Sequence, residues 1–454
     1  MDRFEAAPGP RTRLPGGAYW VMRWLSDPIA AYDAMRSRFG DRFRIAAPKG
    51  WSFVLASSDA ARELVEADGR GFGPLDLGAP PIGAIMGSRS LFLIAGEAHR
   101  GSRRLLSPAL HGDRLRALGP IIRDTARRTI STWDPGRSFS MLEAMRALSL
   151  DVMIHVLLGP RDPAELAHVH AVMRGAAEDA PARLLFMRWL QQRWVPAWRR
   201  FDDARIRRNQ LLLEYVKAGK DPGLGVLPRL LEERRATDGD WTDEEIRDHL
   251  LTLLVAGHES TAVSLACALD VLARHPSVME RLRAELSDED VVARIDGGDT
   301  PLLDAVCNEA LRLYPAALEA VRTVADEPVD VAGYSVPPGV SVFVAIAAIH
   351  RDPALYPRPT EFRADRFLEQ KFARHEFLPF GFGNRHCLGA ALATYELKLV
   401  LATVLGEADL EAAARPPTMK RYNLGTAPDT GIPMVCVARR GASFAQRAAG
   451  ERSP

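Results

Sequence analysis

Apolar residues recur three and four positions apart from about residue 96 to residue 316, and this spacing is typical of helices that bury one face. Strand-like runs lie on both flanks of that region: FRIAAP and WSFVLA near residues 43 to 56, then VSVFVAIAAI and PMVCVARR after residue 330. The pattern predicts a mainly α fold with small peripheral β-sheets, an α+β protein whose body is helical.

One predicted helix is much longer than the others. It begins at the capping box formed by Thr242 and Glu245 and continues to His275, where Pro276 ends it. At about 1.5 Å per residue it would span roughly 50 Å, enough to cross the whole molecule. Its centre reads VAGHESTA, and Gly257 within it costs about 1 kcal/mol of helix stability. A glycine at that place therefore needs a packing or functional reason.

The composition is that of a large folded protein. The 454 residues are 47% hydrophobic and 26% charged, which is enough apolar side chain for a sizeable core. Since no internal repeat or low-complexity tract divides the chain, we expect a single domain over residues 1–454, with about 1–20 and 443–454 poorly ordered. The formal net charge of +1 gives no general attraction to nucleic acid, so we expect no nucleic-acid partner.

The cysteines and the N-terminal segment indicate the cellular compartment of the protein. Cys267, Cys307, Cys387 and Cys436 form no C-x-x-C pair, which argues against a zinc ribbon or a disulfide framework and favours a reducing compartment. The opening MDRFEAAPGPRTRLPGG carries charge and proline where a signal peptide or anchor needs an apolar run. No later segment reaches about 18 uncharged apolar residues. We therefore expect a cytoplasmic protein without a membrane anchor.

Cys387 stands where a glycine-rich loop meets an amphipathic helix, in FLPFGFGNRHCLGAALATYELKLVLATVL. A thiol at a helix N-terminus is stabilised as a thiolate, which is a good ligand for a soft metal. Gly383 would permit a tight turn, Gly389 would leave room for a flat cofactor, and Phe380 could shield the sulfur from water. The alternative is a buried free cysteine that follows a glycine turn.

This segment resembles the haem-binding loop of the cytochrome P450 family, F-x-x-G-x-[RH]-x-C-x-G. The match is made by Phe380, Gly383, Arg385, Cys387 and Gly389. The resemblance implies the triangular P450-type fold around a long central helix. It also implies haem b, iron protoporphyrin IX with an axial thiolate from Cys387, and monooxygenase activity of the EC 1.14 class.

Two further groups of charged residues match the family. Glu309 and Arg312 lie in NEALRLYP, and Arg366 follows in EFRADRF, so the resemblance implies a structural Glu-Arg-Arg cluster, with Ala364 where the family usually has proline.

Partly buried haem propionates need cationic partners. By resemblance those partners are four residues, each of which taken singly would be read as an ordinary surface residue: His99, Arg103, Arg322 and Arg385.

The centre of the long helix matches the family pattern A-G-x-[DE]-[TS]. Ala256 and Gly257 would leave room over the iron, and a distorted helix there could free a carbonyl to hold water. By resemblance Glu259 supplies protons from solvent and Ser260 orients water and O2. Most members have threonine at the alcohol position, so Thr261 remains an alternative to Ser260. A polar patch packed against neighbouring helices is the competing interpretation.

The resemblance implies insertion of one atom of O2 into a C–H or C=C bond of a medium-sized lipophilic substrate, such as a terpenoid, fatty acid or polyketide of secondary metabolism. The chain has neither a G-x-G-x-x-G after a strand nor a C-x₄-C-x₂-C cluster. Its electrons are therefore expected from a ferredoxin or flavodoxin with an NAD(P)H-dependent reductase. This partner would bind a monomer near Arg100, Arg104, Arg374 and His375, although a solvated basic surface explains these residues equally well.

Other functions stay open at this stage: a peroxide-using or isomerising haem-thiolate enzyme, and a haem sensor or carrier. Glu259 and Ser260 favour the oxygenase, because peroxide-using fatty-acid members typically have Arg-Pro there.

By resemblance, substrate would lie among segment 71–95, the helices around 165–205, the turn after Pro315 and the loop near Pro428. Trp189, Trp194 and Trp198 are predicted in a lid or the core, and Glu319 either contacts substrate or faces solvent.

Overall fold

A computed structural model describes residues 2–12, 16–47, 50–66, 71–73, 81–159, 162–178, 191–219, 225–236, 241–287, 291–422 and 425–440. In these ranges the helices are α1 Ala18–Ser26, α2 Pro28–Phe39, α3 Ser58–Glu66, α4 Pro81–Met86, α5 Gly96–Leu106, α6 Gly112–Ala117, α7 Gly119–Ser131, α8 Met141–Leu158, α9 Pro163–Glu178, α10 Pro196–Ala218, α11 Val226–Ala236, α12 Asp243–Arg274, α13 Pro276–Glu285, α14 Val291–Gly297, α15 Pro301–Leu313, α16 Ile346–Ile349, α17 Arg366–Glu369 and α18 Ala390–Glu407.

The strands are short and lie at the edges of the helical body. They are β1 Asp2–Arg3, β2 Arg42–Ala47, β3 Gly50–Leu55, β4 Phe72–Gly73, β5 Ser138–Ser140, β6 Ala320–Val324, β7 Val329–Val331, β8 Tyr334–Val336, β9 Ser341–Val344, β10 Ala408–Ala412, β11 Met419–Tyr422, β12 Gly425–Pro428 and β13 Pro433–Arg439. The largest sheet has the order β2-β3-β9-β6-β4, in which β3 and β9 are parallel. The mainly α fold with small peripheral sheets is confirmed.

The long helix α12 forms the axis of the core. Thr242 caps it through the predicted capping box with Glu245, and the helix ends at Arg274 before Pro276. By length and composition α12 could cross a membrane, but 67% of its apolar window is buried inside the fold, as in the core helix of a globular protein. Helix α8 packs along it. A Cβ atom at Gly257 would lie 2.9 Å from Cε of Met153 in α8, so close helix packing is a reason for this glycine.

Two segments differ from the sequence-based expectation. The apolar run after residue 340 is a strand only to Val344, and Ile346–Ile349 forms a helical turn. A fully buried run has no period that separates strand from helix. At the N-terminus, β1 pairs with β8 and the buried ring of Phe4 packs 5.8 Å from that of Phe53, so part of the segment expected to be poorly ordered belongs to the core. Residues 443–454 lie outside the described ranges.

A buried carboxyl group lies on α18, and it predicts how the protein responds to pH. Burial raises the pKa of Glu396 from 4.5 to about 8, although the neighbouring Ser149 opposes the shift. The unfolded chain therefore releases this proton above about pH 5 while the folded chain keeps it until about pH 8. We expect the free energy of unfolding to fall across this interval. Urea unfolding at several pH values should show a flatter profile for Glu396→Gln, and identical slopes for both proteins would contradict the assignment.

Candidate functional site

The loop that carries Cys387 is shaped by backbone turns. Gly381 and Gly383 adopt φ angles of +69° and +60°, which side chains rarely tolerate. The N–H of Cys387 donates to the carbonyl oxygen of Phe380 at 2.9 Å, and α18 begins three residues later with Gly389 at its N-cap. A Cβ atom at Gly389 would meet no atom within 4 Å. The thiol of Cys387 is thus presented beside an open face of the loop, and its side chain is exposed there.

The electrostatics of Cys387 differ from expectation. Burial raises the pKa of the thiol, while the N–H of Gly389 and the guanidinium of Arg103 act in the opposite direction. The desolvation of a thiolate by the surrounding protein thus outweighs the stabilisation expected from a helix N-terminus. Although the side chain is accessible on its open face, the rest of its environment is protein. The protein alone favours the neutral thiol, so a bound metal ion would be needed to hold the thiolate.

Four cationic or titratable side chains lie together near this loop. Burial lowers the pKa of His99 to about 4, and the nearby positive charges of Arg385, Arg103 and Arg322 act in the same direction. None of the three arginines forms a salt bridge within the part of the chain that the structure describes. Arg322 also has a buried Nε atom without a hydrogen-bond partner. Such a cluster fits an anionic group better than a neutral one.

Backbone contacts hold two of these arginines in place. Nη2 of Arg322 donates to the carbonyl oxygen of Phe382 at 2.7 Å, inside the cysteine loop. The two Nη atoms of Arg385 donate to the carbonyl oxygens of Leu91 and Ile94, each at 2.6 Å. The cations are therefore tied both to the cysteine loop and to the segment that precedes α5.

The centre of α12 presents one accessible face. Ala256 is exposed and Ser260 is half-buried on this face, whereas Thr261 is buried. The hydroxyls of Ser260 and Thr261 donate to the carbonyl oxygens of Ala256 and Gly257, at 2.8 and 2.7 Å. The expected distortion of the helix is wrong for this structure, because α12 is continuous through these residues and the hydroxyls bond to carbonyls within the regular helix. Ser260 is thus the hydroxyl on the accessible face.

The acid of this helix has a partner that sequence reasoning missed. Both carboxylate oxygens of Glu259 accept hydrogen bonds from Arg146 on α8, the shortest at 2.6 Å. Arg146 also pairs with Glu143 at 2.7 Å, and its guanidinium lies 5.4 Å from the ring centre of Tyr422. These contacts raise the pKa of Arg146 although burial opposes them. Nothing local marks Arg146, because 113 residues separate it from Glu259.

The Glu-Arg-Arg cluster is present and buried. Arg312 donates to both oxygens of Glu309 at 2.7 and 2.8 Å, and Arg366 donates to Glu309 at 3.1 Å. Arg312 also donates to the carbonyl oxygen of His350, whose Nε2 accepts the N–H of Leu378 at 2.9 Å. Burial lowers the pKa of His350 to about 3, so this ring is the neutral acceptor that the contact requires. The cluster is thereby connected to the segment that leads into the cysteine loop.

A family model described as Cytochrome P450 matches residues 8–432. The chain belongs to the cytochrome P450 family. It is therefore an oxidoreductase with haem monooxygenase activity and a haem-thiolate cofactor. The residues present fit that cofactor, because an accessible thiol, an open face at Gly389 and three arginines without a salt bridge to any described residue lie around one loop.

Curated relatives are similar over most of their length. The chain is 36% identical over 383 residues to a Mycobacterium tuberculosis protein described as cytochrome P450 137, covering 80% of this chain and 76% of that one. It is 32% identical over 364 residues to cyclooctat-9-en-7-ol 5-monooxygenase of Streptomyces melanosporofaciens, covering 77% and 78%. The solved structure titled retinoic acid bound cyanobacterial CYP120A1 has a TM-score of 0.80 at 22% identity, covers 96% of this chain and 100% of that one, and shows the same fold.

Glu319 in this P450 neither faces solvent nor stands unpaired. It is 8% exposed, pairs with Arg421 at 2.8 Å and accepts the hydroxyl of Tyr32 at 3.3 Å. The predicted alternative in which Glu319 faces solvent is therefore wrong, because its carboxylate is neutralised within the protein. Of the predicted tryptophans, Trp194 is exposed, Trp198 is buried, and Trp189 lies outside the described residues.

The basic residues predicted for partner binding differ in how far they are neutralised. Arg100 and Arg104 share Glu97, at 2.8 and 3.8 Å, and all three side chains are exposed. Nδ1 of His375 lies 3.7 Å from Glu66. Arg374 forms no salt bridge with any residue that the structure describes.

Proposed function

We propose that this P450 inserts one atom of O2 into a C–H or C=C bond of a medium-sized lipophilic substrate, such as a terpenoid, fatty acid or polyketide of secondary metabolism. The observation that carries the proposal is the acid and the alcohol in the middle of α12, with Ser260 beside Ala256 on the accessible face. The relative named cyclooctat-9-en-7-ol 5-monooxygenase supports a lipophilic substrate.

Cys387 would ligate the iron of haem b, and four side chains would bind the propionates: His99, Arg103, Arg322 and Arg385. Gly389 and Gly383 would bring the loop backbone close to the cofactor, with Phe380 limiting access of water to the sulfur. Ala256 would leave space above it, whereas Gly257 also allows α12 to pack on α8. When bound, the haem supplies the chemistry that activates O2.

Two residues of α12, Glu259 and Ser260, would transfer protons from solvent to the oxygenation site. Glu259 is 22% exposed, so its carboxylate can exchange protons with solvent, and Arg146 fixes its position. The hydroxyl of Ser260 lies one residue further along and can pass a proton toward the accessible face of the helix. Thr261 is buried and bonded to its own helix, so we assign the alcohol role to Ser260.

Electrons would come from a ferredoxin or flavodoxin with an NAD(P)H-dependent reductase. This partner would bind near the cysteine loop, where Arg374 offers an unpaired positive charge to an acidic surface. We further propose that the protein is a cytoplasmic monomer.

Glu259→Gln should lower O2-dependent product formation about a hundredfold, because the amide cannot transfer a proton. Turnover would be measured with a ferredoxin, its reductase and NADPH, and the same proteins would be assayed with hydrogen peroxide, which already carries the protons. Glu143→Gln is the matched control, since Glu143 contacts the same arginine but lies on α8. Unchanged O2-dependent turnover in Glu259→Gln would contradict the proton role. If the unmodified protein turned over with hydrogen peroxide but not with O2, ferredoxin and reductase, a peroxide-using enzyme would be favoured instead.

A further inference from the structure

One buried guanidinium in α10 forms no salt bridge with any residue that the structure describes. Arg208 is 2% exposed, donates to the carbonyl oxygen of Ile85 at 2.9 Å, and lies 3.4 Å from Oδ1 of Asn209. Its Nε atom is buried without a partner. Burial, with the charges of Arg205 and Arg247, lowers its pKa to about 10, still well above neutrality. A cation is therefore held inside the protein among other cations.

The two arginines whose charges act on Arg208 are both neutralised by carboxylates. Arg205 pairs with Asp202 and Arg247 with Asp248, each at 2.6 Å. Among the described residues no carboxylate pairs with Arg208. An isolated buried charge is strongly unfavourable, so an anion that reaches Arg208 would gain both a counter-charge and a charge-assisted hydrogen bond.

Arg208 lies at one end of an apolar cluster that reaches the centre of α12. Trp198 and Phe201 are on the same buried side of α10, and they cluster with Ile85, Met86 and Val255. Val255 directly precedes the exposed Ala256. From Phe201 to Arg208 the helix rises about 10 Å. Contacts within one apolar cluster thus connect the buried cation, through Ile85, to Val255 beside the proposed oxygenation site.

We propose that Arg208 binds the carboxylate of a lipophilic acid whose apolar body lies along this cluster toward Ala256. The inference deepens the proposed function and rests on it. A single carboxylate matches the single uncompensated charge. Since Phe201 lies about 10 Å along α10 from Arg208, oxidation near Ala256 is expected far from the carboxyl group rather than at the adjacent carbons.

The test compares two probes that differ only in charge, dodecanoate and dodecanol, on the oxidised haem-loaded protein. Dissociation constants would be measured by calorimetry and by the Soret shift. Arg208→Gln should weaken dodecanoate binding about tenfold or more and alter dodecanol binding less than about twofold. Arg208→Lys should retain a preference for the acid. Arg205→Gln is the matched control, because Arg205 is already paired with Asp202, and it should change neither constant more than about twofold.

Equal affinity of the unmodified protein for both probes, or no binding of dodecanoate, would overturn the inference. An equal loss of both affinities in Arg208→Gln, with a lower melting temperature, would also overturn it, because Arg208 would then only hold the end of α4 through Ile85. Failure of the proposed function would be seen separately, as a missing thiolate band in the reduced, carbon-monoxide-treated protein.

Discussion

Cys387→Ala should abolish the thiolate absorption band of the reduced, carbon-monoxide-treated protein, together with O2-dependent turnover. The reason is that the sulfur of Cys387 is exposed on the open face of the loop, whereas Cys267, Cys307 and Cys436 are buried. Burial raises the pKa of these three thiols as it does that of Cys387, so access to the sulfur is what distinguishes Cys387. Absorbance spectra of equal amounts of purified protein would measure the change.

Cys436→Ala is the control for that experiment, because it removes a thiol from β13 and leaves the loop intact. It should keep the band. Retention of the thiolate band by Cys387→Ala would refute the assignment of Cys387 as the ligand, whereas loss in both variants would point to a general folding defect.

Glu309→Gln is expected to destabilise the protein by about 3–5 kcal/mol, the cost of leaving a buried charge unpaired. Glu309 is fully buried and is the carboxylate that Arg312 and Arg366 share, so its removal would leave two cations inside the core. Because Arg312 also contacts His350, which accepts the N–H of Leu378, the cysteine loop should loosen as well. Urea unfolding and the rate of haem loss to a haem-binding competitor would measure the two effects.

The matched control is Glu361→Gln. Its carboxylate pairs with Arg358 at 3.0 Å on the surface, and exposed pairs of this kind contribute little to stability. The backbone carbonyl of Glu361 that accepts from Arg312 is unchanged by the substitution. An equal loss of stability in both variants would show that burial of Glu309 has no special role.

Local features of the chain were predictable because their causes lie within a few residues. The capping box at Thr242, the stop before Pro276 and the turn at Gly383 each depend on neighbouring backbone and side-chain groups. The run after Ser341 was predicted less well, since burial on all sides erased the periodicity that separates a strand from a helical turn. The resemblance to the family also implied the cluster of Glu309, Arg312 and Arg366, which spacing alone does not distinguish from a solvated i,i+3 pair.

The sequence by itself determined the family, the helical body with its central helix, and Cys387 as the candidate ligand. Only the tertiary structure decided that Arg146 pairs with Glu259, that Arg421 neutralises Glu319, and that Arg208 forms no salt bridge with a described residue. The physical reason is distance along the chain. Turns and caps form between near neighbours, whereas the state of a buried charge depends on which side chains distant helices and strands bring within a few ångströms.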